Sequence, residues 1–126
     1  MIKAIATELA PAAIGPYSQA IATESTIFCS GQLPIDPATG KIMANDIAEQ
    51  TRQVLGNMAA VLGAVDLTLA AVVKTTVFMA DLQDFAAMNT VYQECFGAHA
   101  PARSTVQVAR LPLDARIEIE CIAVRT

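Results

Sequence analysis

Arg116-Ile117-Glu118-Ile119-Glu120-Cys121-Ile122-Ala123-Val124 is the stretch whose reading decides the architecture of this chain. Side chains alternate along a strand, so a strand over 116–124 places Ile117, Ile119, Cys121 and Ala123 on one face and Arg116, Glu118, Glu120 and Ile122 on the other. One face asks for an apolar cover and the other carries two carboxylates. Carboxylates on one face ordinarily mark a solvated surface. If a further copy of the chain covers that face, a buried carboxylate needs a task.

Working outward, Val72–Met79 and Ser104–Val108 are also rich in β-branched residues with a period of two and are predicted strands. Ile2–Thr7, Tyr17–Ala22 and Thr26–Ser30 are weaker candidates, and Asp36-Pro37-Ala38-Thr39-Gly40 is a turn. A helix is predicted from Asp46 to Val65. Asp46 with Glu49 resembles a capping box, and Ile47, Thr51, Val54, Leu55, Met58, Leu62 and Val65 recur at three- and four-residue steps. A second helix runs from Asp84 to Phe96 with Phe85, Met88, Tyr92, Cys95 and Phe96 as its stripe, stopped by Gly97. The order β β β α β α β β predicts an α+β fold: a single mixed β-sheet of about six strands with two helices packed on one face.

With 126 residues, the chain has room for a single domain over 1–126. Hydrophobic residues reach 54% and charged residues only 16%, which points to an apolar surface covered by further copies. A net charge of −4 and 5% aromatics offer neither a phosphate-neutralising patch nor base-stacking platforms, so nucleic acid is not the expected partner. Cys29, Cys95 and Cys121 are far apart and lack a C-x-x-C spacing, and His99 is the single histidine. Neither a metal site nor a Ser–His–acid triad is expected. The N-terminus lacks the apolar run of a signal peptide and no membrane span is expected, so the chain reads as soluble and cytoplasmic.

Four positions stand out beside Glu118. Arg103 enters a strand after Pro101. It is either an exposed charge guarding a sheet edge or a two-pronged anchor for a carboxylate. Tyr17 follows the kinked Gly15-Pro16 and is either a core aromatic or a pocket wall. Ser30-Gly31-Gln32 ends a strand, where the Gly31 N–H could serve a ligand. Asn89 lies at the margin of the second helix's stripe, suited to a local packing bond or a ligand contact.

Taken together, Ala10-Pro11-Ala12-Ala13-Ile14-Gly15-Pro16-Tyr17-Ser18-Gln19, Ser30-Gly31-Gln32, Pro101-Ala102-Arg103-Ser104 and Ile117-Glu118-Ile119-Glu120 resemble the RidA (YjgF) family of reactive-intermediate deaminases over essentially the whole chain. The resemblance implies a chorismate-mutase-like fold, a homotrimeric barrel-like assembly and sites in the clefts between subunits. It also implies hydrolysis of 2-imino acids and their enamine tautomers to 2-keto acids and ammonia, with no cofactor and no metal. On this chain, Arg103 would grip the substrate carboxylate and Glu118 would position and activate water. Tyr17, Ser30, Gly31 and Asn89 would line the pocket, together with Thr105. Thr105 stands where many members carry a cysteine, which keeps a hydroxyl but removes a readily formed thiolate. A carboxylate near an arginine stays ionised and is a weak base, enough to orient water against an electrophilic iminium carbon. The competing readings are a non-catalytic 2-keto-acid-binding regulatory protein, an endoribonuclease and a holdase-like chaperone.

Overall fold

The structure, a computed structural model, describes residues 1–126. Strands β1 (Lys3–Ile5), β2 (Ala20–Ala22) and β3 (Thr26–Gln32) precede a small hairpin of β4 (Ile35–Asp36) and β5 (Lys41–Ile42). Then come α1 (Ile47–Gly63), β6 (Val72–Met79), α2 (Phe85–Phe96), β7 (Ala102–Gln107) and β8 (Ile117–Val124). Six strands form one sheet in the order β1-β2-β3-β8-β6-β7. Every pairing in it is antiparallel except β6 with β7. Parallel neighbours need a crossover, and α2 supplies it. The predicted α+β layer, with two helices on a mixed six-stranded sheet, is the one observed.

Local chemistry explains the boundaries. Asp46 Oδ1 accepts from Glu49 N at 2.8 Å and opens α1, while the Glu49 carboxylate turns to Arg52 at 3.4 Å instead of closing the capping box. Gly97, at φ 66°, ends α2 with its N–H on Gln93 O at 2.8 Å. The turn after Asp36 closes through Gly40, at φ 74°. It carries the β4–β5 hairpin, which alternation over two-residue strands is too short to announce. The Tyr17–Ala22 strand begins only at Ala20, because Gly15 at φ 117° and the Tyr17 N bond to Gly15 O at 2.9 Å curl the chain into a turn.

The core fills the single layer between helices and sheet. Val54, Leu55, Met58 and Leu62 of α1 and Met88 of α2 meet Val77, Met79, Ile117 and Ile119, all fully buried. The stripes differ from the sequence reading at particular residues. Phe85 is exposed and Cys95 half-buried, whereas Val91 is inside, so α2 is rotated relative to the expected face. On α1, Gln50 and Asn57 are buried although polar. Gln50 bonds Ala44 O at 2.9 Å and Arg116 N at 2.8 Å, and Asn57 bonds Leu33 O at 3.1 Å and Ile35 O at 2.9 Å. These amides satisfy loop backbone that would otherwise be stranded beside the core.

The other face of the sheet carries no helix. Phe28 and Val106 are exposed there, among half-buried Phe78 and Ile122. No helix is long and apolar enough to cross a membrane.

Candidate functional site

The Glu118 side of the site is built by an irregularity in β3. Cys29 pairs with Cys121 and Gln32 with Ile119, so Ser30 and Gly31 together face Glu120: a β-bulge. The bulge seats the Glu118 carboxylate directly against Gly31. A Cβ at position 31 would overlap the carboxylate oxygen and lie 2.9 Å from its carbon, so any side chain there forces the carboxylate to shift. Burial, and secondarily the neighbouring Glu120 carboxylate, push the Glu118 pKa above the ordinary carboxylate range. Within one chain Arg103 lies across the sheet from this seat, so a guanidinium can reach the Glu118 carboxylate only from a further copy.

A cleft of about 660 Å³ opens beside Glu118, lined by Tyr17, Ser30, Gly31, Leu113 and Glu120 among others. Tyr17 is 53% exposed, which removes the core-aromatic reading, and its hydroxyl accepts from Ile14 N at 3.4 Å. Ser30 Oγ donates to Ser18 O at 2.6 Å and ties the bulge to the segment carrying Tyr17.

The same segment is held by Gln19, which the sequence reading did not single out. Its buried amide accepts from Thr7 N at 2.7 Å and donates to Thr7 O at 3.1 Å and Pro11 O at 2.8 Å. An uncharged amide beside a Gly-Pro kink was the available signal. Leu113, at φ 58°, projects into the cleft from a tight turn, and a non-glycine residue in that conformation leaves no mark in sequence.

The Arg103 side is built on the opposite face. Arg103 pairs with Thr75, and Thr105 with Val77, so both point toward the helices, while Glu118 pairs with Phe78 and points away from them. Arg103 Nη1 donates to Asn89 Oδ1 at 2.7 Å. Its guanidinium lies 4.9 Å from the Tyr92 ring centre and 5.5 Å from that of Phe85. Tyr92 is fixed in turn by Thr75, hydroxyl to hydroxyl at 2.7 Å. Arg103 takes part in none of the chain's four ion pairs, so it is a positive charge held in place by neutral groups. Thr105 Oγ1 is the one buried side-chain polar atom left without a hydrogen-bond partner.

One chain therefore brings together Tyr17, Ser30, Gly31 and Glu118 in one place, and Asn89, Arg103 and Thr105 in another. The two sets are two strand spacings apart, about 10 Å, and separated by the thickness of the sheet.

Comparison with known proteins identifies the family. The family model for endoribonuclease L-PSP matches residues 7–125. A Salmonella typhimurium protein named 2-iminobutanoate/2-iminopropanoate deaminase is 53% identical over 99% of both chains. The Arabidopsis thaliana chloroplastic Reactive Intermediate Deaminase A is 53% identical over 94% of this chain and 64% of its own length. The crystal structure of E. coli TdcF with bound serine superposes with a TM-score of 0.95 at 48% identity, covering 98% of this chain and 99% of that one. The whole-length match, in sequence and in fold, shows that the chain belongs to the endoribonuclease L-PSP family, which its motifs point to as the RidA (YjgF) family.

Proposed function

We propose that this chain hydrolyses small 2-imino acids to 2-keto acids and ammonia, in sites completed between copies of itself. The observation that carries the reading is the split site: an arginine with no carboxylate partner on one face, and a carboxylate of raised pKa on the other. Each half lacks what the other supplies. The exposed Phe28 and Val106 on the helix-free face give a second copy an apolar surface to cover, and a cyclic trimer would pair the halves in each of its clefts.

In this reading, Arg103 takes the substrate carboxylate with its planar fork, in the plane set by Asn89, Tyr92 and Phe85. The Thr105 hydroxyl offers the same ligand a further hydrogen bond. Glu118 accepts a proton from water as the water oxygen bonds to the iminium carbon and the C=N electron pair moves to nitrogen. Glu118 hands that proton to the amine and takes up the hydroxyl proton as the oxygen closes to C=O and the C–N electron pair leaves with nitrogen, releasing ammonia and a 2-keto acid. A raised pKa makes Glu118 a better base than an ordinary carboxylate. The protonated imine is already strongly electrophilic, so orientation of water and substrate supplies most of what the reaction needs. Three free cysteines fit a reducing compartment, the cytoplasm.

The test is release of ammonia or keto acid from 2-iminopropanoate and 2-iminobutanoate generated in situ, with spontaneous hydrolysis subtracted. Acceleration by the native protein should collapse in Arg103→Ala and Glu118→Gln. Absence of acceleration with the assembly intact overturns the enzyme reading in favour of a 2-keto-acid-binding regulator, which needs the Arg103 anchor but not the base. The family's ribonuclease name predicts RNA cleavage that survives both substitutions, an activity for which a net charge of −4 is poorly suited.

A further inference from the structure

We propose that Cys29 and Cys121 form a dithiol site that hydroperoxides convert, reversibly, into an intramolecular cross-strand disulfide. The two residues are direct partners on the adjacent strands β3 and β8, and both face the helix layer, 7% and 3% exposed. The ladder sets their separation. Arg125 N donates to Ser25 O at 2.8 Å, and hydrogen-bonded pairs recur every second residue, so 29 and 121 form such a pair with Cα atoms about 5.5 Å apart. That lies within the Cα spacing favoured by disulfides, about 5.5–6 Å.

The Cβ atoms of a hydrogen-bonded pair sit about 5.5 Å apart, against about 3.8 Å in a relaxed disulfide, so closure must pinch the strands by roughly 1.7 Å. The bulge at Ser30–Gly31 begins at the very next residue and is where β3 can yield. A disulfide closed under strain is easily reduced again, which is the behaviour of a labile bond and not of a permanent staple.

The thiols are unequal. Interaction between the facing thiols lowers the Cys29 pKa and, with burial, pushes that of Cys121 up. Cys29, the more exposed of the two at 7% against 3%, is the sulfur that a peroxide meets first, and Cys121, directly opposite, is placed to resolve it. Cys29 sulfur attacks a peroxide oxygen and breaks the O–O bond, giving a sulfenic acid and hydroxide. Cys121 sulfur then attacks Cys29 sulfur and displaces water, so two thiols and one peroxide become one disulfide and two waters. Cys95 lies on α2, raised in pKa by burial and without an opposing thiol, and serves as an internal control. The proposed imine chemistry uses none of the three.

The experiment treats the full-length protein with hydrogen peroxide, unfolds it in alkylating agent and maps the peptides without reduction. The Cys29 and Cys121 peptides should be recovered joined and lighter by two hydrogens, with Cys95 alkylated. Glutathione added before unfolding should return both thiols. In Cys29→Ser, Cys121 should stay alkylatable under the same treatment. Recovery of Cys29 and Cys121 both alkylated, either one over-oxidised without a link, or a link joining two copies would overturn the proposal. None of these readouts depends on deaminase activity.

Discussion

Replacing Gly31 by alanine tests the seat of the Glu118 carboxylate with one methyl group. Ordinary contact with a Cβ begins at 3.4 Å, and the Glu118 carboxylate carbon lies 2.9 Å from where that Cβ would stand, so it must retreat by at least half an ångström. The overlapping oxygen must move further. The backbone tolerates the change, because Gly31 is not in the left-handed region. Glu118 is half-buried and its far end can rotate, so the cost in stability should stay at about 1 kcal/mol, the low end for overpacking. A carboxylate displaced by about 1 Å from its water is expected to lower kcat by about 10²-fold, with little change in KM because Arg103 is untouched. Imine hydrolysis measured under saturating substrate, beside a thermal melt, reads both quantities. A kcat within twofold of the native protein, at equal Tm, would refute the inference that this contact positions the base.

Two further outcomes follow from groups already placed. Glu118 has a folded-state pKa above its unfolded value, so the folded state holds the proton more tightly, and stability falls as pH rises through the window above the ordinary value of 4.5. Glu118→Gln should therefore melt higher than the native protein at neutral pH, and the gap should close as pH drops below that window. A gap that is constant with pH would show that the carboxylate is not strained by burial. Gln19→Leu strands the Thr7 and Pro11 backbone groups and should cost about 2–3 kcal/mol in denaturant unfolding, against a few tenths if the segment is held by packing alone.

The legible part of the site was its chemistry by residue type. Glu118 stood out because it interrupts an apolar strand, and Arg103 because it follows a proline into another. Tyr17 was legible as a fixed ring but not as an exposed one, since that depended on the turn at Gly15. Gln19, Gln50 and Asn57 were passed over because polar side chains in a periodic pattern read as outward-facing. Their burial depends on which loop backbone happens to need a partner.

By itself, the sequence determined the succession of strands and helices, the two faces of β8 and the family motifs, because alternation, capping and turn chemistry act between residues close in the chain. Only the tertiary structure decided that β8 inserts between β3 and β6, that Cys29 faces Cys121, that a bulge in β3 seats Glu118 against Gly31, and that Arg103 points into the helices on the opposite face of the sheet. Those outcomes rest on pairing and register between segments distant in sequence, where a slip of one residue exchanges the faces of an entire strand.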